Sequence, residues 1–388
     1  MEQEVLEKVQ SKLPNVKTTI FTVMSKMAND HNAINLSQGF PDFPIDSKLA
    51  ELVAKAMKDG FNQYSPMQGL PALREAIAQK LYHTYQLKID INENIVVTAG
   101  ATQAIFTAIS ALVHKGDEVV IFTPAYDCYA PAVELFGGKP VYCQLKAPDY
   151  KIDWEEVQSK INSKTKLVVI NTPHNPTGTV MSASDMKELE KIVLNSNAYV
   201  LSDEVYEHII FDGLKHQSAA LFPELYKRSL IVASFGKTFH VTGWKLGYIY
   251  GPEYLMEEYK KVHQYNVFCV NTPMQVALSE YISSKENYEK IPEFYQSKRD
   301  VFLNAIEGSR FSFTPAQGTY FQVLNYENIS EQGEVEFAEE LTKKYKVASI
   351  PISVFYEPEL NQSTLRFCFA KNEETLHKAG EILKSIGK

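Results

Sequence analysis

Lys237 and Lys245 share one turn-rich stretch, Ser234 to Gly247, which reads S-F-G-K-T-F-H-V-T-G-W-K-L-G. An apolar run, Leu230-Ile231-Val232-Ala233, feeds straight into it and delivers Lys237 just after Gly236. A strand that ends in such a turn presents its lysine at a cleft. Desolvation there lowers the pKa and makes the neutral amine a nucleophile. The chemistry expected of Lys237 is a Schiff base. Gly236-Lys237-Thr238 also imitates the end of a P-loop, but that loop needs a glycine where Ile231 stands. No G-x-G-x-x-G fingerprint occurs either, so nucleotide binding is not expected.

Other chemistry-bearing residues come directly after other apolar runs. T-A-G-A-T-Q-A (98–104) joins a strand to an apolar helix, and its Gly100-Ala101-Thr102 backbone suits an anion at a helix N-terminus. Taken alone, that stretch is explained more simply by an ordinary turn with Thr102 as cap. Asn171-Thr172-Pro173-His174-Asn175-Pro176-Thr177-Gly178 is denser in special residues than a plain turn requires, and it aims Asn175. S-D-E-V-Y-E-H (202–208) places Asp203 directly after a buried strand, where an ionised carboxylate needs a cationic partner such as a ring nitrogen. The rival there is a metal bound by Asp203, Glu204, Glu207 and His208. Their spacing matches no zinc or calcium pattern, and H-E-x-x-H is absent. Arg366 lies inside the apolar run T-L-R-F-C-F, either as a structural ion pair or as a clamp on a carboxylate.

These residues must be positioned by elements that the apolar pattern locates. Continuous apolar runs at 94–98, 117–123, 139–145, 166–172, 197–202, 229–234 and 246–250 alternate with helical patterns at 101–114, 126–137, 152–162 and 182–196. Strands apolar on both faces belong to a covered, mostly parallel sheet. The expected fold class is therefore α/β, with a large doubly wound domain over 48–280. After a helical stretch at 253–307, strands F-S-F-T, T-Y-F-Q-V-L, V-A-S-I-P-I and T-L-R-F-C-F-A alternate with helices near 333–345 and 372–386. Residues 1–47 and 281–388 are expected to form an N-terminal arm and a smaller α+β domain, with a loose helical arm at 1–30. In open α/β sheets, ligands gather outside the carboxyl ends of the strands. Gly100, Ala101, Thr102, Tyr126, Asn175, Asp203, Tyr206, Ser234 and Lys237 lie at five such ends.

Composition narrows the class. A net charge of −8 without a basic block speaks against nucleic acid as a partner. Four scattered cysteines without a C-x-x-C pair speak against a zinc ribbon or disulfide framework. The charged start M-E-Q-E-V-L-E-K-V-Q has no signal-peptide core, and no run is long enough to span a membrane. A cytoplasmic protein without membrane association is expected.

Taken together, the chain resembles the class I/II, fold-type I aminotransferases that use pyridoxal 5′-phosphate, and within them the methionine and kynurenine (glutamine transaminase K-like) branch. The resemblance is carried by I-N-L-S-Q-G-F-P-D-F, N-Q-Y-S-P-M-Q-G-L-P-A-L-R-E-A-I-A, N-T-P-H-N-P-T-G, S-D-E-V-Y-E-H and the Lys237 stretch. It implies that Lys237 is the Schiff-base lysine and that Asp203 pairs with the pyridine nitrogen. Asn175 and Tyr206 would bond the ring oxygen, and Tyr126 would stack on the ring. The Gly100, Ala101 and Thr102 backbone, Ser234 and Lys245 would hold the phosphate. Tyr64 would reach the phosphate of a neighbouring copy in a homodimer with its site at the interface. Arg366, Asn175 and the Gly39 backbone would bind the substrate α-carboxylate. Many relatives carry arginine at the position of Lys245, which makes this contact a point charge rather than a fork.

Substrates can be inferred less directly. Of the five arginines, Arg74, Arg228, Arg299 and Arg310 lie where none suits a distal carboxylate. Phe21, Phe40, Tyr64, Tyr126 and Phe355 offer an aromatic pocket instead. Neutral amino donors (methionine, aromatic residues, glutamine or kynurenine) with a 2-oxo acid acceptor are expected. A C–S β-lyase acting on cysteine conjugates would share the same lysine. A non-catalytic effector module of a regulator would need a basic DNA-binding segment, which the acidic N-terminal arm does not offer.

Overall fold

A computed structural model describes residues 10–387. The expected arm at 1–30 falls partly outside the described residues. Within them its helix is Ile20–Asp30, opened by Thr19, whose hydroxyl accepts from the Thr22 amide.

The described residues form twelve strands. β1 is Ile34–Asn35, β2 Ile95–Thr98, β3 Glu118–Thr123 and β4 Lys139–Gln144. β5 is Thr165–Asn171, β6 Tyr199–Asp203, β7 Ser229–Ser234 and β8 Gly247–Tyr250. β9 is Phe321–Asn325, β10 Val347–Ala348, β11 Ile350–Pro351 and β12 Thr364–Cys368. The seven strands β2 to β8 form one sheet in the order β2-β8-β7-β6-β5-β3-β4. Only β8 runs antiparallel to its neighbours; the other pairs are parallel. Val, Ile and Leu fill both faces of β2, β5 and β7, so helices must cover the sheet on both sides. Helix Gly100–Leu112 packs on one face and helix Pro71–Tyr85 lies against the other.

This topology sets the site. Because the parallel strands share a direction, their carboxyl ends lie along one edge. β8 enters from that same edge, which brings Lys245, just ahead of it, beside the ends of β2 and β7. The register pairs Gly247 with both Thr98 and Ser234.

A second sheet, β11-β12-β9, is antiparallel, and β1 pairs separately with β10. The small domain departs from its sequence expectation in two places. V-A-S-I-P-I is not one strand but two, with Val347–Ala348 on β1 and Ile350–Pro351 on β12. Pro351 has no amide to donate and is tolerated because β11 is an edge strand. F-S-F-T makes only an isolated bridge, Ser312 to Asn325, before Pro315 leads the chain away. In the large domain the helix expected at 126–137 is shorter, Tyr129–Leu135.

One buried ion pair fastens the loop after β6 from behind. Lys80, on helix Pro71–Tyr85, donates to Glu207 at 2.7 Å, and Tyr85 donates to the other oxygen at 2.5 Å. Both partners of the ion pair are 4% exposed. Burial alone would raise the Glu207 pKa, but the Lys80 charge and these hydrogen bonds outweigh it and hold it at about 2. A depressed carboxylate pKa contributes stability above its unfolded value near 4.5 and loses it as pH falls towards 2. Lys80→Met leaves Glu207 buried without its cation and is expected to cost about 3–5 kcal/mol at neutral pH. Denaturant midpoints should show the deficit shrinking below about pH 4.5. A deficit independent of pH would contradict the ion-pair account.

Candidate active site

The edge formed by the carboxyl ends gathers most of the residues singled out in the sequence. Ser234 caps the short helix Phe235–Thr238, accepting from the Lys237 amide at 3.3 Å, and this turn points Lys237 into the crevice. Lys237 Nζ donates to the Tyr320 hydroxyl at 2.9 Å and lies 5.6 Å from the centre of the Tyr206 ring. Burial pulls its pKa from 10.5 down to about 8, against the opposing pull of the Asp203 carboxyl. That shift raises the neutral fraction of the amine at pH 7 by roughly 300-fold.

Asp203 ends β6 and is 4% exposed. Its carboxylate accepts from the Tyr129 hydroxyl at 2.5 Å and the Val205 amide at 3.3 Å. Burial nevertheless pushes its pKa up to about 6, and these bonds only partly offset that. A carboxylate in this state favours a cationic partner.

The carboxylates named in the rival metal reading do not converge. Glu204 accepts from Ser202 and the Ala219 amide and lies 2.8 Å from His216 Nε2, while Glu207 faces Lys80. Among the described residues, no group of three or more His, Cys, Asp or Glu is placed to hold a metal.

Arg366 is on the central strand β12, opposite Val323 and Ile350. It is 1% exposed, donates to Asn175 Oδ1 at 2.7 Å and to the Ser37 carbonyl at 3.2 Å, and lies 3.8 Å from the Phe321 ring centre. Among the described residues its buried Nε has no hydrogen-bond partner. Burial lowers its pKa to about 10, which leaves it cationic at neutral pH. Among the described residues no carboxylate pairs with it, so of its two sequence readings the structural ion pair is not what the fold shows.

Asn175 is held by its own loop. Its amide donates to Asn171 Oδ1 at 2.8 Å, and Asn171 Nδ2 donates to the Asp203 carbonyl at 2.9 Å. Gly178 adopts φ 75°, and a Cβ there would lie 2.7 Å from that of Ala316. At Gly39 a Cβ would meet the tip of the Phe321 ring at 2.7 Å. The small sheet and the N-terminal segment thus close on the crevice through Arg366, Phe321 and Gly39.

Gly100 adopts φ 77° at the first position of the helix Gly100–Leu112, and a Cβ built on it would lie 3.6 Å from Lys245 Nζ. Ala101 and Thr102 come next, half-buried, with Ser234 across the β2–β8–β7 register. Amides of a helix N-terminus, a hydroxyl and an ammonium make a cradle for an anion. Tyr126, half-buried, sets its ring against that of Tyr129 at 5.9 Å. Two residues stand apart: Tyr64 is 83% exposed and packs on Phe268, and Phe40 is 48% exposed. Phe21 and Phe355 join the crevice, with ring centres 5.7 Å apart beside Arg366.

Sequence reasoning missed Tyr129 and Tyr320, which hold Asp203 and Lys237. Tyr129 lies three residues after Tyr126, a spacing that offered a signal because a helix was expected over both. Tyr320 offered only its place in G-T-Y-F, just before β9.

Comparison with known proteins agrees with this geometry. The signature of the family "Aminotransferase class I and II" spans residues 31–383. The chain is 47% identical to the methionine aminotransferase of Escherichia coli, over 97% of this chain and 98% of that one. It is 33% identical to human kynurenine–oxoglutarate transaminase 3, over 96% and 89% of the two chains. A solved E. coli structure described as having a methionine aminotransferase function superposes with a TM-score of 0.96, covering 97% and 99%. An aspartate aminotransferase double mutant from Thermus thermophilus superposes at 0.88 with 28% identity, covering 96% and 98%. Pyridoxal phosphate fits the residues present: an anion cradle, an amine of lowered pKa, and a buried carboxyl that lacks a cation. The chain belongs to the class I and II aminotransferases and is a pyridoxal-phosphate-dependent enzyme of fold type I.

Proposed function

We propose that the chain moves the amino group of a neutral L-amino acid, methionine first, to a 2-oxo acid, with Lys237 holding the cofactor as a Schiff base. One observation carries this reading. A desolvated amine and a buried carboxyl without a cationic partner among the described residues lie at the carboxyl edge of the large sheet, and the buried Arg366 guanidinium reaches Asn175 at that edge from the small sheet, its Nε unpartnered among the described residues. The cofactor supplies the electron sink that no side chain provides.

The protein's own residues do the rest. Asp203 would keep a proton on the ring nitrogen, and Asn175 and Tyr206 would bond the ring oxygen. Gly100, Ala101, Thr102, Ser234 and Lys245 would hold the phosphate, and Tyr126 would stack on the ring. Arg366 with Asn175 and the Gly39 backbone orients the substrate α-carboxylate. Lys237 Nζ, when its amine is free, would take the proton from the substrate α-carbon and deliver it to the carbon that receives the amino group, not back to its source. Residues 48–280 would form the cofactor-binding domain, with 1–47 and 281–388 closing over it. Exposed Tyr64 beside Phe268 supports a homodimer in which Tyr64 completes the partner's phosphate cradle.

Substrate choice rests on the remaining arginines, all bound elsewhere. Arg74 donates to the Gly69 carbonyl at 3.1 Å and Arg228 to that of Ser196 at 3.2 Å. Arg299 grips Asp212 at 2.5 and 2.7 Å, and Arg310 donates to the Gly387 carbonyl at 2.9 Å. A second substrate carboxylate therefore meets aromatic walls without an arginine, and an unpaired charge there is costly. Steady-state kinetics should give methionine a kcat/KM at least about 100-fold above that of aspartate. A preference for aspartate would sink this reading.

A further inference from the structure

Tyr320 touches the reacting nitrogen, yet no role falls to it in the reading above. It lies immediately before β9 and is fully buried. Its hydroxyl accepts from Lys237 Nζ at 2.9 Å and donates to the Gly39 carbonyl at 2.6 Å. Its ring is fixed on two sides, edge-on to Tyr206 at 5.2 Å and tilted against Tyr295 at 5.7 Å. Lys237 Nζ also lies 5.4 Å from the ring centre.

A tyrosine hydroxyl has one hydrogen. Here the Gly39 carbonyl takes it, so only a lone pair faces Lys237. The hydroxyl is thus oriented to accept from the lysine and not to act as an acid towards it. Gly39 belongs to the same backbone segment as Ser37, whose carbonyl binds Arg366. One hydroxyl therefore ties the position of the lysine amine to the segment that faces the substrate carboxylate.

We propose that Tyr320 is a further catalytic residue: it holds the amine of Lys237 whenever that amine is free of cofactor, and it stabilises the ammonium formed there. The balance is simple. Nζ takes a proton from the substrate α-carbon, the electron pair of the broken C–H bond would pass to the cofactor's electron sink, the new N–H bond makes Nζ an ammonium, and one of its hydrogens points to the Tyr320 oxygen. Tyr320 keeps its own proton throughout, donating it in a hydrogen bond to the Gly39 carbonyl. This inference rests on Lys237 being the cofactor lysine, but the contact between the two residues can be tested without cofactor.

Tyr320→Phe removes the acceptor and keeps the ring. In cofactor-free protein, the pH dependence of trace acetylation at Lys237, read by peptide mass spectrometry, reports the pKa of the amine. Loss of a charge-assisted acceptor should lower that midpoint by about one unit. In the loaded enzyme the variant should keep the cofactor's colour and lose about 10–100-fold in kcat for methionine, with KM within about threefold. The isotope effect on α-deuterated methionine should rise, because proton transfer becomes more rate-limiting. Replacing Tyr320 by 3-fluorotyrosine, which preserves shape and weakens the oxygen as an acceptor, should move the acetylation midpoint part of the way in the same direction. An unchanged midpoint in both variants, or a loss confined to KM, overturns the proposal. If Lys237 proves not to carry the cofactor, the proposed function fails on its own, while the acetylation midpoint still decides the contact.

Discussion

Asp203→Ala is expected to bind the cofactor weakly and to lose at least about 100-fold in kcat/KM for methionine. The size comes from burial. Asp203 is held near pH 6 rather than 3.8, so leaving it ionised and unpaired costs about 3 kcal/mol, which a cationic ring nitrogen recovers. Without the carboxylate, on the proposed pairing, the ring nitrogen would lose the partner that keeps it protonated, and the sink for electrons leaving the substrate would weaken. Asp203→Asn keeps the shape and an acceptor for the Tyr129 hydroxyl, yet carries no charge. It should fail almost as badly, which separates charge from packing. The sign with pH is also fixed. Protonation of Asp203 below about pH 6 removes the charge, so cofactor affinity in the wild-type protein should weaken as pH falls through that value. Activity near wild type in either variant would contradict the pairing.

Lys237→Ala should show the opposite split between binding and turnover. The Gly100 cradle, Lys245, Ser234 and Asp203 remain, so the cofactor should still bind without a covalent link. Methionine turnover should fall by roughly 10⁴-fold or more, because in the proposed mechanism one residue supplies both the covalent anchor and the base. Lys245 cannot substitute, since its amine stands against Gly100 at the helix N-terminus and not beside Tyr320. Single-turnover spectra with methionine would check this. Transamination at a normal rate would remove Lys237 from the mechanism.

The large sheet and the residues at its ends were legible in the sequence for a physical reason. Strands covered on both faces read as continuous apolar runs, and parallel strands share one carboxyl edge. The residues at the carboxyl end of each run are therefore the residues of the crevice, Asn175, Asp203 and Lys237 among them. Lys245 was harder, because it precedes a strand. It joins the group only because β8 is antiparallel. Arg366 stayed ambiguous, since an apolar run does not show whether a carboxylate faces it; the fold places Asn175 and Phe321 there instead. Tyr129 and Tyr320 were hidden by distance along the chain: their partners lie 74 and 83 residues away. Short apolar runs in the small domain misled in a different way. V-A-S-I-P-I is apolar enough for one strand, but its two halves serve different sheets.

Everything proposed for the crevice depends on Lys237 carrying the cofactor. Reducing the loaded enzyme with borohydride and locating the added mass by tandem mass spectrometry tests this most directly. A single cofactor mass on Lys237, absent from Lys237→Ala, is the predicted result. The same mass on Lys245, or no lysine labelled at all, would contradict the account.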